Sequence, residues 1–144
     1  MLNCSQKLSP CIQEMKPGSN TTKFILIVVD EEAIRESLAL ILEEEGYHCI
    51  SVPDGEVAVE QAFSRTFNLI IIDPFLSKRK GLKLLVELKM RQPHTPILIL
   101  SSYYDVEMAS YALNQGATQY FLKPIDFEQL ITVVRQLLSE VPCR

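Results

Sequence analysis

A doubly wound α/β domain built on a parallel sheet is the fold class that these 144 residues predict, and three observations predict it. Strand-like and helix-like patterns alternate from Lys23 onward. The strand-like runs include continuous apolar stretches, and three runs close on a charged residue: FILIVVD on Asp30, NLIIID on Asp73 and QYFLK on Lys123. Unbroken apolar strands are buried on both faces, as in a parallel sheet covered by helices, whereas half-solvated strands alternate. A charge that ends such a strand cannot stay in the core. It projects from the carboxyl edge, where open α/β sheets bind their ligands.

The elements follow in order. Phe24–Val29 is an unbroken β-prone run, and Glu31–Glu45 carries Ile34, Leu38, Ile41 and Leu42 at helical spacing before Gly46 stops it. Tyr47–Val52 is a short strand, and Asp54–Ser64 is a weaker helix faced by Val57, Ala58, Gln61 and Ala62. Asn68–Ile72 is the next strand, followed by a loop through Lys80 and a helix over Leu82–Arg91 with Leu82, Leu85, Val86 and Met90 as its inward stripe. Pro93 and Pro96 bracket the turn into Ile97–Leu100; helix Val106–Gln115 takes Asp105 as its cap and ends at Gly116. Gln119–Leu122 is the last strand, and Asp126–Glu140 the last helix, with Phe127, Leu130, Ile131, Val134, Leu137 and Leu138 inward. Five successive βα units imply right-handed crossovers in one domain over 23–141. Residues 1–22, with Pro10, Pro17, Gly18, Ser19 and Asn20, read as a flexible arm, and 142–144 as a short tail. Arg144 follows the last helix closely, so no output domain is expected within these residues, and the ending fits both a stand-alone protein and a piece of a longer one.

Composition narrows the class further. The 47% apolar content belongs to a soluble globular chain, and a net charge of −4 gives no footprint of a nucleic-acid or membrane surface. Apolar runs stop far short of the ~20 residues that span a bilayer. No basic-then-apolar leader precedes Lys23, so a cytoplasmic location is expected. Cys4, Cys11, Cys49 and Cys143 form no C-x-x-C pair and stand at no zinc-like spacing from a histidine; they read as reduced thiols, with Cys49 in the core.

The chemistry sits at the strand ends. Asp30 follows the first strand, Asp73 the third, Ser101 the fourth and Lys123 the fifth. In a 2-1-3-4-5 strand order the first and third strands flank the crevice at the topological switch point. Two carboxylates converging there repel unless a cation joins them. Mg²⁺ suits the place, because it takes one or two carboxylates, waters and a phosphate oxygen, and it neutralises charge during phosphoryl transfer. Lys123 adds a point cation for a phosphoryl oxygen, and Ser101 a hydroxyl donor.

At these residues the chain resembles the response-regulator receiver domain of two-component signalling, over roughly Lys23–Glu140. VVDEEAIRESL is similar to the family's first strand and acidic corner, and IIDPFLSKRKG to the segment holding its phosphoacceptor, with a glycine eight residues on. ILILSS places a hydroxyl at the switch position, and GATQYFLKPID matches the segment with the switch aromatic and the Lys–Pro pair. The resemblance implies a flavodoxin-like receiver fold and an aspartyl phosphate formed on Asp73 from a sensor histidine kinase or phosphotransfer protein. It implies Mg²⁺ held by Asp30, Asp73 and the main-chain carbonyl of Phe75, and Ser101 and Lys123 turned to the phosphoryl group. It also implies that Tyr120 follows Ser101 inward and that the Lys123–Pro124 bond is cis. The partner or homodimer face would be the last helix–strand–helix unit, with no nucleic-acid contact by this domain.

Two departures bear on these expectations. The first acid of the family's corner is Val29 here, so Asp30 keeps the metal-ligating position alone, with Glu31 as a substitute outer acid or simply a helix start. Ser77 stands where proline is usual, and Lys78, Arg79 and Lys80 form a basic loop, either solvated or attractive to an acidic partner. The main alternative is a degenerate receiver acting as a phosphorylation-independent docking module. A Mg²⁺-dependent phosphatase would need an acid where Phe75 stands, and a flavin binder would need a Gly/Ser/Thr-rich loop after the first strand.

Overall fold

A computed structural model describes residues 22–73, 81–101 and 106–139. Five parallel strands, β1 (Phe24–Val28), β2 (His48–Val52), β3 (Leu69–Ile72), β4 (Ile97–Ser101) and β5 (Gln119–Leu122), form one sheet in the order β2-β1-β3-β4-β5. Five helices connect or follow them: α1 (Glu32–Glu44), α2 (Gly55–Ser64), α3 (Gly81–Arg91), α4 (Val106–Asn114) and α5 (Phe127–Leu138). The alternation expected from the sequence is present throughout the described residues, with element ends moved by one or two positions.

The apolar runs explain the layering. Side chains alternate across a strand, so a continuous apolar run feeds two cores at once. Leu26, Val28, Ile70, Ile72, Ile97 and Ile99 pack on one face against Ala58 and Ala62 of α2, Leu84, Leu85 and Leu88 of α3 and Ala112 of α4. Ile25, Ile27, Val29, Leu69, Ile71, Leu98 and Leu100 pack on the other against Leu38 and Leu42 of α1 and Leu130 and Val134 of α5. Every residue of β3 and β4 is buried, while the edge strands β2 and β5 expose His48, Ser51 and Leu122.

Local chemistry sets the helix ends. Asp54 Oδ1 accepts the Val57 N–H at 3.0 Å, and Asp126 Oδ1 accepts the N–H groups of Glu128 and Gln129 at 3.1 and 3.2 Å. Each aspartate is therefore a cap with extended backbone rather than the first helical residue. Gly46 and Gly116 follow α1 and α4 with φ of +100° and +112°, the left-handed stop that glycine adopts without a Cβ penalty.

Three expectations need correction. Met90 is exposed rather than inward, since it lies five residues beyond Leu85 and so about 140° around the helix; the buried stripe of α3 is Leu84, Leu85 and Leu88. Cys49 is half-buried, because β2 is an edge strand. The last helix stops at Leu138, where Ser139 turns to extended backbone. The expected cap Asp105, the residues of the 1–22 arm up to position 21, the tail at 142–144, and Cys4, Cys11 and Cys143 lie outside the described residues.

Candidate functional site

Three strand ends converge at the carboxyl edge of the sheet. Asp73 continues the β1–β3 ladder one step past Ile72, its N–H donating to the Val28 carbonyl at 3.0 Å. That bond fixes the backbone from which the carboxylate projects, and the residue is only 6% exposed. On the other side of β4, the Lys123 N–H donates to the Ser101 carbonyl at 2.7 Å and extends the β4–β5 pairing beyond Ser101–Leu122. Lys123 Nζ then reaches Asp73 Oδ2 at 2.9 Å. Ser101 is fully buried and is the last residue of β4 rather than the residue after it. The Lys123–Pro124 peptide is cis, as the resemblance implied.

Asp30 lies two positions beyond the end of β1, in a half-exposed bend beside the neighbouring β3 end. Val29, between Val28 and Asp30, is fully buried in the apolar layer shared with α1 and α5. Its carbonyl is held by α1, through Arg35 Nη1 at 2.9 Å. Arg35 was not singled out in the sequence, and nothing in its spacing marks it except its position on the first turn after the acidic corner. Glu31 is the exposed N-cap residue of α1, and its side chain makes no capping hydrogen bond. Its placement is that of a helix start.

Tyr120 contacts α4. It is half-buried on β5, and its hydroxyl donates to Met108 Sδ of α4 at 3.3 Å. Phe75, with its main-chain carbonyl, and Ser77, Lys78, Arg79 and Lys80 lie outside the described residues, as do Ser102, Tyr103 and Tyr104.

The edge therefore offers a buried carboxylate paired with an ammonium, a second carboxylate on the adjacent strand end and a buried hydroxyl. Among the described residues, no three carboxylate, imidazole or thiolate side chains gather as a metal cage. The donors at this rim are the hard oxygens of Asp30 and Asp73. That set suits a hard cation which keeps waters and phosphate oxygens in its coordination sphere, and does not suit a softer metal. A cavity of about 320 Å³, lined by Lys23, Asn68, His94 and Pro96, opens at the opposite end of the sheet, away from this chemistry.

The description "Response regulator receiver domain" fits residues 25–135. The chain belongs to that family, the receiver domains of two-component response regulators. It is 35% identical over 118 residues to the response regulator ArlR of Staphylococcus saprophyticus, covering 82% of this chain and 53% of that protein. It is 34% identical over 115 residues to the transcriptional regulatory protein ZraR of Escherichia coli O157:H7, covering 80% and 26%. The chain thus spans about half or a quarter of the length of these relatives. Among solved structures it resembles a CheY-like receiver domain protein of Methanospirillum hungatei, with a TM-score of 0.80, 30% identity and coverage of 83% and 96%. TrrA of Thermotoga maritima, solved with Mg²⁺ and BeF, matches with a TM-score of 0.72, 34% identity and coverage of 81% and 100%. A response regulator of Burkholderia pseudomallei, solved with a phosphorylated aspartic acid and a calcium ion, matches with a TM-score of 0.73, 29% identity and coverage of 83% and 75%.

Proposed function

We propose that this domain is a phosphorylation-controlled signalling switch in which Asp73 accepts a phosphoryl group from a sensor histidine kinase or phosphotransfer protein. The observation that carries the reading is the 2.9 Å contact between Lys123 Nζ and Asp73 Oδ2 at the carboxyl edge. A carboxylate oxygen held at fixed position is the nucleophile such a transfer requires. Lys123 orients it before transfer and pairs with a phosphoryl oxygen afterwards, and the Ser101 hydroxyl turns toward the new group. Asp30 and Asp73, with the Phe75 carbonyl, would hold Mg²⁺, which when bound supplies positive charge against the developing phosphate charge. The finding that similar receivers were solved with Mg²⁺ and BeF, or with a phosphorylated aspartate and calcium, supports this assignment.

The transferred charge biases a two-state equilibrium rather than driving turnover of a separate substrate. Tyr120 and Ser101 couple the rim to the α4–β5–α5 face, which meets partners or a second copy. Val106, Tyr111, Leu113 and Leu122 are exposed apolar residues on those elements and support that assignment. Direct nucleic-acid contact by this domain is not part of the reading, and a cytoplasmic location accords with it. Among the described residues, no helix is long and apolar enough to cross a membrane.

One observation favours the second reading, a constitutive docking module: Val29 is fully buried where the family corner carries an acid, so the site has two carboxylates in place of three. Beryllofluoride separates the two. Titrating it with Mg²⁺ into the ¹⁵N-labelled chain shifts the amides of Asp73, Ser101 and Lys123 in a switch, and leaves them unmoved in a docking module.

A further inference from the structure

We propose that Met108 is a positioning residue for Tyr120, its thioether holding the phenol in the resting orientation until the acceptor site is charged. The proposal rests on the reading of Asp73 as phosphoacceptor and of Tyr120 as the responding aromatic. What it adds is the group that sets the resting state.

Tyr120 Oη donates to Met108 Sδ at 3.3 Å, a contact between β5 and the first turn of α4. Tyr120 pairs across the sheet with Ile99, and Ser101, two residues further along β4, pairs with Leu122. A displacement of the tyrosine ring and a reorientation of the serine hydroxyl therefore act on the same strand pair, two residues apart. The ring packs against the apolar layer that includes Ile99, Ala112 and Ala117. The hydroxyl, at the ring's far end, reaches the helix. The resting contact thus ties the ring to α4 at its polar tip and to the sheet at its apolar body.

The acceptor's chemistry suits a restraint that must yield. A thioether sulfur is a weak acceptor, so the phenol is held less firmly than by a carboxylate or a carbonyl. Methionine's three rotatable bonds let the sulfur follow small movements of the ring without strain. A weak contact at the end of a long side chain can shift a two-state equilibrium by a few-fold without locking it. Leucine at position 108 would keep the volume and lose the acceptor. Phenylalanine at 120 would keep the ring and lose the donor.

The test uses the full chain and the ε-methyl resonances of its four methionines, Met1, Met15, Met90 and Met108. Met108→Leu assigns the Met108 signal by its loss. The signal is expected to depend on the ring, changing in Tyr120→Leu. It should also move when Mg²⁺ and beryllofluoride are added, while the Met90 signal, on exposed α3 surface, stays in place. Met108→Leu and Tyr120→Phe should each tighten beryllofluoride binding about two- to fivefold, and the double variant should gain less than the two effects combined. An unmoved Met108 methyl, with Asp73 and Ser101 amides shifting normally, overturns the proposal alone, as do additive effects of the two substitutions. If no amide responds to beryllofluoride, the phosphoacceptor reading fails and this proposal falls with it.

Discussion

Lys123 Nζ stands 2.9 Å from Asp73 Oδ2, joining residues fifty positions apart in the sequence. The contact exists because β3 and β5 end on the same edge, with β4 and its buried Ser101 between them. Side-chain exposures of 12% and 8% keep both charges mostly out of water, so the pairing offsets part of the desolvation of each.

Removing the lysine therefore has two effects. Lys123→Ala should lower stability by about 1–3 kcal/mol in EDTA, because the buried Asp73 carboxylate loses the ammonium that faces it. Excess Mg²⁺ should restore part of the loss if the two carboxylates form its site. Urea unfolding with and without Mg²⁺ measures both terms; equal midpoints for the variant and the parent in EDTA would contradict the structural role given to the pair.

Val29 offers the reverse experiment. Val29→Asp adds a third carboxylate near the rim and should tighten Mg²⁺ binding by about tenfold, since ligand charge count governs affinity for hard cations. It also places a carboxyl where the side chain is now buried among Leu38, Leu42 and Leu130, so metal-free stability should fall. Calorimetric titration with Mg²⁺ and urea unfolding in EDTA check the two effects together. Unchanged Mg²⁺ affinity would mean that the missing acid does not limit the site.

Gln92 separates stability from chemistry. Its buried amide accepts the Phe67 N–H at 2.8 Å and donates to the carbonyls of Ala62 and Arg65 at 3.1 and 2.9 Å. It closes the α2 C-terminus onto the start of β3, at the end of the sheet remote from Asp73. Gln92→Leu keeps the volume, strands these groups and should cost about 2–4 kcal/mol while leaving phosphorylation of the folded fraction unchanged. A denaturation curve and a phosphorylation assay at low temperature make the comparison.

Cys49 should be a sluggish thiol. Burial, with Glu43 adding to it, pushes its pKa up to about 12, so the thiolate is scarce at neutral pH. Alkylation at pH 8, read by peptide mapping, should be more than about tenfold slower in the folded chain than in urea. The raised thiol contributes stability that is present below the unfolded cysteine's pKa and fades as pH rises from there toward 12. Equal alkylation rates in the two states would contradict the burial of this side chain.

Much of this was readable from residues alone, for physical reasons. The runs ending at Asp30, Asp73 and Lys123 could be aligned on one edge because parallel strands share their direction, and Gly46 and Gly116 mark helix stops by their backbone freedom. The rotation of α3 was not readable: Leu82, Leu84, Leu85, Val86 and Leu88 crowd more than one face, and only packing against the sheet decides that Leu84 and Leu88 go in and Met90 out. Cys49 depended on knowing that β2 is an edge. The roles of Arg35 and Met108 were not readable because each rests on one side-chain hydrogen bond, to the Val29 carbonyl and from the Tyr120 hydroxyl, that hydrophobic periodicity does not encode.

The central claim is that Asp73 is a working phosphoacceptor. Incubating the chain with Mg²⁺ and acetyl phosphate and recording its intact mass tests that claim most directly, with Asp73→Asn and EDTA as controls. A gain of one phosphoryl group that requires Mg²⁺ and vanishes in Asp73→Asn is the predicted result. An unchanged mass, or a gain that persists in Asp73→Asn, would contradict it.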